Sequence, residues 1–138
     1  MVEKIGVGVV GLGWAAQDIH LPRLLTTPEI VLIGVADVSE KRTRKIAHLY
    51  NVKGYANYIE LCECNDIDAV FILTPPSAHL EVAEIACENQ RHIFCEKPIA
   101  SNIEQGETMV KKASEAGVVL MVGYMMRFSP EMRLLKTL

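Results

Sequence analysis

Apolar residues fall along this chain in two alternating rhythms. Short β-branched runs at Ile5 to Val10, Val31 to Ala36, Ala69 to Leu73, Ile93 to Cys95 and Val118 to Val122 predict strands. Between them, apolar positions recur with helical spacing over Lys41 to Tyr50, Ala78 to Glu88 and Ile103 to Ala116. Gly117 stands where a helix C-cap belongs, and the next strand starts at once. A weaker strand is expected at Lys53 to Tyr55 and a short helix at Tyr58 to Cys64. Pro22 falls inside the first helical stretch. It lacks an N–H and its ring opposes the carbonyl four residues back, which predicts a break or restart near His20 to Leu21.

The succession is a βαβ series. Runs such as AVFIL and GVVLMV are apolar at nearly every position, as a parallel sheet covered on both faces requires. With 138 residues, 50% of them hydrophobic and 22% charged, the chain suits one soluble domain with a sizeable core. Lys and Arg number 14 against 17 Asp and Glu, a net charge of −3, so no general attraction to a phosphate backbone is available and nucleic acid is not an expected partner. Apolar runs break within about ten residues, well short of the roughly 20 a membrane helix needs, and Glu3 stands where a signal peptide would be basic. No membrane association and a cytoplasmic location are expected. Cys62, Cys64, Cys87 and Cys95 are spread through apparent helix and strand interiors and are expected as reduced thiols. Cys62-x-Cys64 lacks a second closely spaced Cys or His pair, so no metal site is expected.

The first strand runs directly into Gly11-Leu12-Gly13-Trp14-Ala15-Ala16, the G-x-G-x-x-A form of a dinucleotide fingerprint. Gly11 permits the tight turn, Gly13 removes a side chain that would block a pyrophosphate, and Ala16 is small enough for the new helix to lie on the strand. Backbone N–H groups at the helix start, Trp14 and Ala15 among them, then face the anion. Asp37 ends the second strand, near where an acidic residue meets the ribose hydroxyls of the adenosine half. A carboxylate there favours NAD over NADP, while Lys41 and Arg42 nearby weaken the preference and leave NADP open. The competing reading of Asp37 is an N-cap of the following helix. Together these features predict a Rossmann fold: α/β, doubly wound, mainly parallel, with helices on both faces. Two later strands end in TPPSAH, from Thr74 to His79, and CEKP, from Cys95 to Pro98. In open α/β sheets ligands sit beyond the carboxyl ends of the strands, so these segments converge on the crevice of the glycine turn.

The sequence resembles the glucose-fructose oxidoreductase and inositol dehydrogenase family, Gfo/Idh/MocA, over essentially its whole length. The resemblance rests on Gly11-x-Gly13-x-x-Ala16, Thr74-Pro75 with His79, Glu96-Lys97-Pro98, and Gly123-Tyr124-x-x-Arg127-Phe128-x-Pro130. It implies a nicotinamide coenzyme exchanging hydride with a secondary alcohol of a sugar, polyol or related substrate. Lys97 matches the family lysine that contacts the reacting hydroxyl, where an ammonium stabilises a developing alkoxide, and Glu96 can fix that lysine or the nicotinamide ribose. The competing reading of Lys97 is a surface salt bridge. Thr74, Pro75 and Glu96 are expected at the coenzyme. His79 is expected to touch coenzyme or substrate, or to be a capping or core histidine. Trp14 shields the nicotinamide or packs, and Arg127 matches the pattern without an assigned role. Pro76 departs from the asparagine frequent in the family, which puts an amide contact to the coenzyme in doubt. The family often has a cis bond at Lys97-Pro98, and cis is expected here.

Family members continue into a second, sheet-rich domain that supplies most substrate contacts. The expectation is that residues 1–123 form the dinucleotide-binding domain and 124–138 begin the connection to an absent substrate domain, so that the isolated chain binds coenzyme without turnover. The tail FSPEMRLLKTL predicts a helix from Pro130 with Met132, Leu135 and Leu138 along one side and Leu134 beside them, an apolar stripe expected to drive homo-oligomer formation. The main alternative is a non-catalytic module that uses NAD as a sensed ligand or partner switch; a third reading is an S-adenosylmethionine methyltransferase, against which Glu96-Lys97-Pro98 and the close G-x-G-x-x-A spacing argue.

Overall fold

The computed structural model describes residues 4–137. Glu3 and Leu138 lie outside the described residues, and with them those two parts of the sequence reading. Six strands, β1 (Ile5–Val10), β2 (Ile30–Ala36), β3 (Lys53–Tyr55), β4 (Ala69–Ile72), β5 (His92–Cys95) and β6 (Leu120–Val122), form one sheet in the order β3-β2-β1-β4-β5-β6. Every adjacent pair is parallel. The order reverses at β1, so the crevice between the loops after β1 and β4 is the switch point of a doubly wound sheet.

β1 is buried along all but its first residue, and its side chains alternate between two cores. Val7 and Val9 join Leu12, Ala16, Leu21, Leu24, Val35 and Ile46 on one face, under α1 (Leu21–Thr26) and α2 (Glu40–Tyr50). Val10 joins Leu61, Ile67, Val70, Ile72, Val82, Ala86 and Met109 on the other, under α3 (Tyr58–Cys62), α4 (His79–Glu88) and α5 (Ile103–Ala116). α2, α3 and α5 are capped by Ser39, Asn57 and Asn102, each accepting a backbone N–H from the first turn, and α5 ends on Gly117 at φ 69°.

The differences from the sequence reading have local causes. At Pro22 the chain stays helical. A π-helical segment, Ala15–His20, passes into α1 at Leu21, where Leu21 N–H donates to Ala16 O, and Pro22 takes an early position of α1. The wider π turn relieves the clash that Pro22 would impose on a regular helix. α4 begins one residue later than the pattern indicates because Pro76–Ala78 form a 3-10 turn. β6 is shorter than Val118 to Val122, since Val118 N–H is taken by Ala113 O and Val119 N–H by His92 Nδ1. A final helix, α6 (Pro130–Thr137), follows a 3-10 turn at Met125–Phe128 and exposes Met132, Leu134 and Leu135.

Candidate functional site

Between the ends of β1, β2 and β4 lies a cleft of about 710 Å³, lined by Gly11, Gly13, Asp37, Arg42, Thr74 and Pro75 among others. A larger hollow of about 960 Å³ runs along α5 and the loop before it, but none of the residues singled out from the sequence lines it.

Gly11 makes the turn. Its φ of +89° is strained for any L side chain, and a Cβ there would lie 2.7 Å from backbone atoms of Leu73 and Thr74. Gly13 is different: a Cβ there would meet no protein atom within 4 Å, so its missing side chain leaves space at the cleft rather than relieving a protein contact. Ala16 is fully buried beneath the helix. No side chain caps the start of the π-helical segment, and first-turn N–H groups, including that of Ala15, have no intrahelical partner, so they remain available to an anion. Trp14 is 71% exposed, which corrects the packing reading of that ring.

Across the cleft, the buried Oγ1 of Thr74 has no hydrogen-bond partner among the described residues. A buried hydroxyl without a partner is costly, and this one is placed to be completed by a polar ligand in the cleft. The open space at Gly13, the uncapped helix start and this hydroxyl together fit a dinucleotide.

Asp37 is not the cap of α2, a role taken by Ser39. Its Oδ2 accepts the N–H of Leu12 at 2.7 Å and its Oδ1 that of Ser39 at 2.8 Å. Arg42 Nη1 donates to both oxygens at 3.1 and 3.2 Å. The carboxylate is 5% exposed, whereas the Arg42 side chain is 45% exposed. Beyond them the wall carries Tyr58, whose hydroxyl donates to Glu81. That bond, with burial second, pushes the Tyr58 phenol up to about 12. Neither residue stood out in the sequence, since only the packing of α3 against α4 brings them together.

His79 is fully buried. Its Nε2 lies 2.9 Å from the carbonyl of Thr74, and its Nδ1 lies 3.1 and 3.2 Å from those of Pro98 and Ile99 and 3.1 Å from Cys95 Sγ. With both nitrogens engaged inside the protein, it ties the loop after β4 to the loop after β5, which corrects the reading of His79 as a contact to coenzyme or substrate. Burial, helped by Glu96, pushes the Cys95 thiol up to about 12.

At the end of β5, Glu96 Oε1 accepts from His20 Nε2 at 2.9 Å and Oε2 accepts the N–H of Lys97 at 2.8 Å. The Lys97-Pro98 bond is cis. Lys97 is exposed and has no ion pair among the described residues. His20 carried no signal in the sequence, where it appears only as the end of a helical stretch. Arg127 is exposed on the turn before α6 and does not line the cleft. The cysteines are free, and no group of three or more potential metal ligands occurs among the described residues.

Residues 5–124 match the family GFO_IDH_MocA, described as an oxidoreductase family with an NAD-binding Rossmann fold. The chain belongs to this family. It is 31% identical over 131 residues to myo-inositol 2-dehydrogenase of Thermotoga maritima, covering 94% of this chain and 39% of that protein. It is 33% identical over 132 residues to the NAD(+)-dependent scyllo-inositol 2-dehydrogenase of Bacillus subtilis, covering 94% and 38%. Among solved structures it is similar to a 3-ketoreductase from Actinomadura kijaniata in complex with NADP and TDP-benzene, at a TM-score of 0.91 and 28% identity, covering 96% of this chain and 41% of that one. The chain thus spans about 40% of the length of relatives it matches. The Gfo/Idh/MocA resemblance read from the motifs and the parallel Rossmann sheet both hold. No described helix is long and apolar enough to cross a membrane.

Proposed function

We propose that this Gfo/Idh/MocA chain is the coenzyme-binding part of an NAD(P)-dependent dehydrogenase acting on a secondary alcohol of a sugar, polyol or related substrate. The observation that carries the reading is the strand-end cleft, where Gly13, the uncapped helix start and the unpartnered Thr74 hydroxyl face one another. The bound nicotinamide is the hydride donor or acceptor. Within this chain, the Lys97 ammonium donates a hydrogen bond to the substrate oxygen and stabilises it as alkoxide charge develops. Glu96 backs the lysine through the Lys97 N–H. The inositol dehydrogenases among the relatives support a polyol as the substrate class.

The coenzyme reading favours NAD. A carboxylate has about four acceptor positions, and those of Asp37 are filled by Leu12, Ser39 and two bonds from Arg42. Ribose hydroxyls reach Asp37 by displacing Arg42, its most exposed partner among the described residues. A 2′-phosphate gains Arg42 but meets the Asp37 charge, so NADP binds more weakly.

The test uses the chain as it is. Ligand at 100 times its dissociation constant stabilises a fold by about 2.7 kcal/mol, so NADH raises Tm measurably and NADPH raises it less. Trp14, the single tryptophan and next to Gly13, reports the same binding by fluorescence. No shift with either coenzyme would sink the reading; a larger shift with NADPH would reverse only the preference. The proposal extends to a reducing, cytoplasmic setting, supported by four free cysteines of which three are buried, and to a homo-oligomer, supported by the exposed apolar face of α6.

A further inference from the structure

We infer that His20 is a positioning residue for Lys97: it holds the Glu96 carboxylate away from the adjacent ammonium and so leaves that ammonium free for a substrate oxygen. The inference rests on the reading of Lys97 given above, but its geometry stands apart from the coenzyme cleft. Glu96 and Lys97 are neighbours in the chain at the mouth of the sheet, and their opposite charges attract unless another group competes for the carboxylate. Here something does. His20 and Glu96 side chains are 8% and 13% exposed, and their bond of 2.9 Å joins residues 76 apart in sequence.

The imidazole is itself fixed. It stands edge-on to Phe94 and Phe71 at ring separations of 5.4 and 6.0 Å, and those two rings stack at 4.6 Å. On the far side Gly123 leaves room for the Phe94 ring and borders the carboxylate: a Cβ there would lie 2.9 Å from Phe94 Cζ and in ordinary contact, 3.5 Å, with Glu96 Cδ. Glu96 is therefore boxed between the helix of the glycine turn, the aromatic pair and the end of β6. Its second oxygen takes the Lys97 main-chain N–H, which leaves the lysine side chain with no ion pair among the described residues. Because His20 sits on the helix that the glycine turn launches, coenzyme binding and lysine freedom share one element.

Amine reactivity reads this directly, since an ammonium paired with a carboxylate gives up its proton less readily. The probe is sulfo-NHS acetate at sub-saturating dose, with Lys97 acetylation scored by peptide mass spectrometry against the exposed Lys41, in the absence of coenzyme. In His20→Leu, Glu96 swings to the lysine and the ratio of Lys97 to Lys41 labelling falls by about threefold or more. His20→Gln, which keeps a donor, restores much of the ratio, and adding Glu96→Gln to His20→Leu restores it fully. A purely structural role for His20 would leave Glu96→Gln without effect on the ratio in the His20→Leu background, and that result overturns the inference. An unchanged ratio in folded His20→Leu overturns it as well. Should His20→Leu fail to fold, Glu96→Gln alone decides: the ratio stays within about 1.5-fold of the parent if His20 already diverts the carboxylate, and a threefold rise refutes it. NADH binding followed at Trp14 is measured alongside, so a chain that does not bind coenzyme fails separately from a histidine that does not position.

Discussion

Gly11 and Gly13 are separated by one residue, yet replacing each with alanine has opposite consequences. At Gly11 the methyl group enters a backbone at φ +89° and lies 2.7 Å from the Leu73 carbonyl carbon and the Thr74 nitrogen, atoms that cannot rotate aside. A residue forced into that conformation costs roughly 1–3 kcal/mol, and an overpacked contact of this kind roughly 1–3 kcal/mol more. Against a total stability of roughly 5–15 kcal/mol, the sum is a large fraction of the fold. At roughly 3–5 °C per kcal/mol for a chain of this size, Gly11→Ala lowers Tm by about 6 °C or more. At Gly13 the methyl group meets nothing within 4 Å and φ is not positive, so stability stays within about 0.5 kcal/mol of the parent. The cost appears in binding instead, because the methyl group occupies the space a pyrophosphate needs, and NADH affinity falls by about tenfold or more, or about 1.4 kcal/mol. Scanning calorimetry measures the first effect and Trp14 fluorescence titration the second. Equal Tm losses at the two positions, or a Gly13→Ala chain that binds NADH like the parent, would refute the division of labour between turn and cradle.

Three further outcomes are expected. Arg42→Ala frees the Asp37 carboxylate and removes the cation paired with it, so NADPH affinity falls by about tenfold while NADH changes by less than about threefold; parallel changes would contradict the pairing argument. Burial pushes Cys62 and Cys95 from 9.0 up to about 12, so the folded chain keeps protons that the unfolded chain releases. Their stabilisation is fully present below pH 9.0 and is lost as pH rises toward 12: Tm in reducing buffer declines over that window, Cys62→Ala flattens the decline, and an unaltered slope would refute the assignment. Leu134→Glu with Leu135→Glu removes apolar surface that is 64% and 62% exposed on α6. Sedimentation is expected to show a self-associating parent and a monomeric variant, and a monomeric parent at high concentration would end the oligomer proposal.

The strands and long helices were legible because local patterning and core burial coincide. Each valine of β1 faces one of two helical layers, and α5 runs between Asn102 and Gly117 as its caps dictate. The glycine turn was legible for the same reason, since strand, turn and helix are contiguous. What the sequence hid depends on contacts between distant segments. Asp37 was placed at the cleft, but nothing local announced that the Leu12 N–H, 25 residues away, would claim its carboxylate. Tyr58 with Glu81 and His20 with Glu96 are likewise pairs made by topology, and no spacing rule brings them together. Of the two roles the sequence leaves open for Trp14, packing fails: a large aromatic ring is usually buried, and here the helix start leaves it 71% exposed.

The buried ring of His79 has an implication for re-engineering. Since one ring nitrogen lies against the Thr74 carbonyl after β4 and the other against Cys95 Sγ and the Pro98 and Ile99 carbonyls at and after the end of β5, those two segments behave as one inheritable module. Grafting either loop alone from a relative would remove a partner of the buried ring, and an unpaired polar group in a dry interior costs about 1–3 kcal/mol. Chimaeras that exchange residues 74–79 and 95–99 together, histidine included, should keep the parent's cooperativity of unfolding, whereas half-exchanges broaden it. Plasticity for altering this cleft therefore lies on its β2 side, where Val38 is wholly exposed and Arg42 half so, rather than along the sutured β4 and β5 wall.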